Sequence, residues 1–227
     1  MNAVGGHIPP HIIVKGLTKR SLNNFDMKSA PTGSTWSVSD SGWTKQGIAY
    51  LWFTESFLPS IGPDRPQLLI MDGHDSHNFV ELIEVARLNK IDIIELPAHC
   101  SHWLQPCDRT VFGPLKSAYN SACQGLMTSF PWTMVSRSNF CGLLNKAWTS
   151  TVTSDNIVFG FRSCGIFPFH PNAIPDEAYL PSLMYAAEEG VGRHEYNYHN
   201  LVLAAQCKLM KPRTEPSDTG LNTNDYV

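Results

Sequence analysis

Two aspartates stand where this chain could do chemistry. Asp72 follows the apolar run Leu68 to Met71 and precedes Gly73; Asp108 comes 36 positions later, inside LQPCDRT. A short apolar run ended by Asp-Gly reads as a buried strand closing in a turn, and open α/β sheets gather ligands outside the carboxyl ends of their parallel strands. Asp108 stands just ahead of a helical pattern, where a helix N-terminus favours the ionised acid. Two carboxylates at one place repel each other. A divalent ion between them removes that conflict, activates water and stabilises a five-coordinate phosphorus, so the pair points to a magnesium-type site. Each residue also has an ordinary structural use, Asp-Gly as a turn and Asp108 as a helix cap.

Other polar side chains compete for attention. His74 and His77 form an H-x-x-H pair, and His99, Cys100, His102 and Cys107 follow within a short stretch, all metal-capable types. Their spacing matches no usual zinc finger, which leaves a zinc-dependent interaction module as a minor alternative. Gln105 can orient a ligand or hydrogen-bond a turn. Lys116, on the helix that Asp108 opens, can meet a phosphate as a point charge or stand in solvent. Trp103, Phe140 and Trp148 fall in apolar patterns and read as core rather than as stacking platforms.

The elements that must position these residues follow from period and punctuation. Ile12 to Val14 reads as a strand entered through Pro9 and Pro10, and Thr35 to Val38 as a second, closed by SDSGW. Thr44 is the expected cap of a helix with Ile48, Leu51 and Trp52 on one face, ended by Pro59. Leu68 to Met71, a helix capped by Asn78 and Ile91 to Leu96 make a βαβ unit whose two strands run parallel. Beyond it the pattern is helical: Phe112, Leu115 and Tyr119 share a face, Phe140 to Trp148 repeat after a Ser138 cap, and a last helix runs from Ser154 to about Gly165.

Composition sets the frame. With 42% hydrophobic and 16% charged residues in 227, the chain can build one large packed domain and is neither disordered throughout nor a coiled coil. No apolar run approaches the ~20 residues of a membrane span, and the opening MNAVGGHIPP has no secretory pattern. The six cysteines show no C-x-x-C pairing and read as free thiols. The net charge of -3 is concentrated late: residues 176–227 are acidic and polar, and form a tail expected to be partly disordered.

The stretch from Leu68 to Asn120 closely resembles the DDE superfamily endonuclease domain of pogo, Tigger and jerky-type transposases. The shared features are Asp72-Gly73 after an apolar strand, Ser76-His77, Leu96-Pro97 after a second strand, Leu104 to Pro106 with Asp108, and Phe112 to Lys116. The 35 residues between the two aspartates fit the pogo group, and the resemblance extends through PPHIIVKG, SDSGW and NIVFGFRSCGIFPFHPNAIP, covering about residues 3–175.

The resemblance implies an α/β, RNase H-like fold: a mixed sheet flanked by helices over residues 1–175, in which three carboxylates hold two Mg2+ or Mn2+ ions. Asp72 matches the second acid and Asp108 the third, with His77, Gln105 and Lys116 as supporting or DNA-contacting residues. The first acid belongs to a central strand expected upstream of HIIVKG, and neither Asp26 nor Asp40 follows an apolar strand in the right order to replace it. Without that strand, His11 to Val14 and Leu68 to Met71 are expected either to stand apart or to pair directly. The implied partner is DNA, with self-association as an option and neither a membrane nor a small-molecule substrate; the implied compartment is the nucleus. Intact relatives cut and join DNA phosphodiesters. The alternative is a domesticated or decayed domain that binds DNA or protein without catalysis.

Overall fold

A computed structural model of the chain describes residues 1–73, 76, 78–97, 100–175 and 178. His74, Asp75, His77, His99 and the acidic tail other than Ala178 lie outside the described residues. The chain order is β1 (His11–Lys15), β2 (Thr35–Ser39), α1 (Gln46–Leu51), a π-helical turn (Trp52–Phe57), α2 (Leu58–Ser60), β3 (Gln67–Met71), α3 (Val80–Leu88), β4 (Ile91–Glu95), α4 (Ser101–Leu104), α5 (Pro106–Thr110), α6 (Phe112–Ser129), α7 (Arg137–Thr151) and α8 (Ser154–Ser163). The architecture is α/β, as the pattern predicts.

The βαβ unit forms as expected. β3 and β4 pair in parallel with Leu69 opposite Ile93 and Met71 opposite Glu95. One face of this pair meets α3 and the π-helical turn: Phe53, Leu82, Ala86 and Ile91 are fully buried together, with Leu69, Met71 and Ile93 packed around them. β1 and β2 also pair in parallel, with His11 opposite Thr35. Instead of one mixed sheet, the described strands form two separate parallel pairs. In each, the connection returns the chain to its starting end before the second strand begins, through α3 in one case and through two short 3-10 turns in the other. Of the two arrangements expected for His11 to Val14 and Leu68 to Met71, the strands stand apart.

Side-chain bonds tie the first pair to the next helix. The His11 ring reaches Thr35 Oγ1 at 2.7 Å and Ser37 Oγ at 2.9 Å, and Thr35 Oγ1 meets Ser56 Oγ at 3.0 Å. Burial lowers the His11 pKa, partly opposed by the charge of Glu55.

Helix limits differ from the sequence expectation in instructive ways. Pro59 does not end its helix; the rod continues to Ser60, and the preceding Trp52–Phe57 turn is π-helical, a widening that suits a residue with no N–H to donate. The N-caps are Lys45, Phe79 and Ser136 rather than Thr44, Asn78 and Ser138. Ser136 makes a reciprocal box with Asn139, whose Oδ1 accepts the Ser136 N–H at 2.8 Å. α8 starts at Ser154 as expected, with Thr153 Oγ1 accepting the Asn156 N–H at 3.3 Å. It ends on Gly165 at φ +66°, with the Ile166 N–H donating to Phe161 O at 3.1 Å, a left-handed cap that suits glycine.

α8 lies directly against α5. A Cβ built on Gly160 would stand 2.7 Å from Pro106 O and 2.6 Å from Thr110 Oγ1, so only glycine permits this approach. Thr110 Oγ1 donates to Asn156 O at 2.6 Å, filling the same contact.

Gly160→Ala must push α5 and α8 apart, and is expected to cost about 1 to 3 kcal/mol in urea unfolding. Gly125→Ala, in α6 with no neighbour within 4 Å of its missing Cβ, should instead stabilise by about 0.5 to 1 kcal/mol. Equal effects of the two would refute the close-approach argument. His11 carries a pH signature. Its lowered folded pKa means that the unfolded chain binds the proton more readily, so stability falls as pH drops through the unfolded value of about 6.5. The melting temperature should decline between about pH 7 and pH 5, and the decline should be shallower in His11→Gln.

Candidate functional site

Asp72 sits on the residue after β3, half-buried, with Oδ1 shielded from solvent. The chain stays close to the neighbouring strand here: the Cβ position of Gly73 lies 3.3 Å from Leu96 O and 3.7 Å from Glu95 Oε1. Asp72 borders a cavity of about 540 Å3 shared with Asn78, Arg87, Asp92 and Glu95. Its apolar lining includes Met71 and Ile93. Asn78, expected as a cap, instead donates from Nδ2 to Glu95 Oε2 at 3.4 Å.

Glu95 is thus a site neighbour that the sequence reading passed over. Its signal was available, because parallel pairing sets the last residue of β4 beside Met71, which immediately precedes Asp72. An acid there necessarily stands near the carboxyl end of β3.

Asp108 occupies the first turn of α5, not a position ahead of it. It is exposed, and its N–H donates to Gln105 O at 3.1 Å. Gln105, half-buried, is the hinge residue between α4 and α5, and Pro106 fixes the first turn of α5. The Arg109 guanidinium lies 4.8 Å from the Trp103 ring centre. Two neighbouring thiols register the Asp108 charge. Burial raises the Cys107 pKa with Asp108 adding to it, and burial pushes Cys164 up to about 12, with Arg109 opposing and Cys107 and Asp108 reinforcing. Lys116 is exposed on α6. Trp103, Phe140 and Trp148 are half-buried, in keeping with core roles.

An apolar joint lies between the elements that carry the two candidate acids. Leu96, just past β4, packs with Leu104 of α4 and with Ile174, and Ile70 of β3 and Trp103 join them. The strand that ends at Asp72 and the helix pair that delivers Asp108 are therefore mounted on one cluster. The cavity beside Asp72 is lined by none of Gln105, Asp108 and Lys116. His77 lies outside the described residues. Asp40 is engaged elsewhere, with Lys45 Nζ at 2.6 Å.

The fit to a divalent ion is a question of donors. Asp72 and Glu95 are hard oxygen ligands of the right kind. Among the described residues, no three His, Cys, Asp or Glu side chains come together as a metal-binding group, and His74, His77 and His99 of the zinc alternative lie outside the described residues.

Comparison with known proteins bears on the family of the chain. A relative is the MFS-type transporter clz9 of Cochliobolus lunatus, 32% identical over 179 residues that make up 77% of this chain and 19% of that protein. The chain therefore spans about a fifth of the length of that relative. No solved structure matches. The model of the DDE superfamily endonuclease family matches residues 1–161, a span that holds β1 to β4, Asp72 and Asp108, and the chain belongs to that family.

Proposed function

We propose that this chain is a transposase-derived domain of the pogo, Tigger and jerky branch that acts on DNA phosphodiesters in the nucleus. Asp72 and Asp108 serve as two of three carboxylates around Mg2+ or Mn2+. The observation that carries this reading is an aspartate at the carboxyl end of β3, in a parallel βαβ unit, within the span matched by the endonuclease family. The bound ions would activate water and stabilise charge on the attacking and leaving oxygens. The chain's own contribution is placement: Gln105 sets the turn that presents Asp108, and Lys116 offers a cation to a phosphate. His77 is assigned a supporting role by likeness alone. The transport named for the clz9 relative has no counterpart among the described residues, none of whose helices is long and apolar enough to cross a membrane.

Asp108 does not line the cavity beside Asp72, which favours a second reading, a domain that binds DNA without cutting it. Plasmid nicking in Mg2+ or Mn2+, run beside a DNA-binding assay, separates the two. An endonuclease nicks, and loses about a hundredfold or more of that activity in both Asp72→Asn and Asp108→Asn while still binding DNA. Binding without metal-dependent nicking establishes the second reading. Nicking that survives both substitutions refutes the assignment of the acids.

A further inference from the structure

α6 and α7 form a helical hairpin with an unusual charge distribution. From Phe112 to Thr151 the hairpin contains three cations, Lys116, Arg137 and Lys146, and no Asp or Glu. The first 108 residues carry eight basic and eleven acidic side chains, so the hairpin is a basic arm on an otherwise acidic chain.

Its tip is apolar and exposed. Trp132 is 98% exposed, Met134 81% and Phe130 61%. An isolated apolar surface residue needs no explanation, but a run of large ones at the end of a cationic arm does. The tip is also ordered by hydrogen bonds. The Thr133 N–H donates to Phe130 O at 2.8 Å, closing a turn with Pro131 and Trp132 at its centre. The Phe130 N–H continues α6 by bonding Leu126 O at 2.9 Å, and Asn139 Nδ2 donates to Met134 O at 3.0 Å, fixing the far side to the cap of α7. The backbone that carries Trp132 is therefore tied on both sides of the turn, which limits the backbone freedom to be lost when the tip meets a partner.

We propose that the α6–α7 hairpin is a DNA-docking arm whose tip, led by Trp132, enters a duplex at an opened or unstacked base step while Lys116 and Lys146 face the phosphates. Charge and chemistry together select the partner: an acid-free cationic arm complements a polyanion, and its apolar tip suits an exposed base step. Apolar side chains that wedge between base steps, supported by cations on the backbone, are an established physical solution for gripping deformed DNA. The inference shares with the reading above the assumption that DNA is the partner, but it does not require catalysis.

The test is fluorescence anisotropy on the full chain in EDTA, with labelled duplexes that are either intact or interrupted by a one-nucleotide gap. Trp132→Ala should weaken binding to the gapped duplex on the order of tenfold, with a smaller effect on the intact one, and Trp132→Phe should restore most of the loss. Lys116→Glu with Lys146→Glu should flatten the slope of log K against log salt by about two. Because Trp132 is exposed, its replacement leaves the packed core intact. Unchanged affinity of Trp132→Ala for both duplexes overturns the proposal. So does a shift from dimer to monomer on that substitution in sedimentation without loss of DNA binding, or binding to phosphatidylserine vesicles in place of DNA. Asp72-dependent nicking with no Trp132 effect overturns the arm alone; a Trp132 effect without nicking overturns the catalytic reading alone.

Discussion

The apolar joint of Leu96, Leu104 and Ile174 is the contact on which the candidate site depends. It fastens the end of β4 to the end of α4, and Ile70 brings β3 into the same cluster. Asp72 is a residue beyond β3, and Asp108 is four residues beyond Leu104, so both acids inherit their positions from this cluster. On the other side, α5 is held by α8 at Gly160, which admits Pro106 O and Thr110 Oγ1 to close range. Asp108 is thus located by apolar burial at one end of its short helix and by close packing along it, while remaining open to solvent itself. A five-residue helix has little intrinsic stability, so this external support is what fixes it.

Much of this arrangement could be read from the chain. The βαβ unit was legible because two short apolar runs, one stopped by Asp-Gly and the other by Leu-Pro, bracket a stretch of helical period. The Ser154 start of α8 was legible because Thr153 and Ser154 are local cap chemistry. What escaped depends on partners distant in sequence. Asn78 has the composition of a cap, yet its amide goes to Glu95, 17 residues away. Pro59 should end a helix by local rules, but the widened turn before it accommodates the missing donor. The separation of the strands into two pairs is likewise a tertiary outcome, since nothing in the apolar runs distinguishes a strand with two neighbours from one with one.

Of the candidate site, the two aspartates stand out in the sequence and their neighbours do not: Asp72 is marked by the apolar strand before it, and Asp108 by its place ahead of a long helix. Glu95 was hidden by its apparent role as the polar residue of an alternating strand, IDIIE. Only the register of β3 and β4 turns that alternation into proximity to Asp72. Likeness to a family names residues that the family uses; geometry adds those that this chain happens to bring alongside.

The thiols packed around α5 carry one more consequence. Cys107, half-buried on the Asp108 helix, and Cys164, buried beside it, both have their thiol pKa raised by burial. A thiol attacks, oxidises or exchanges through its thiolate, so these sulfurs behave as small apolar packing groups rather than as reagents. The sulfurs packed along this helix are consequently less reactive toward alkylating agents and peroxide than an exposed cysteine of ordinary pKa.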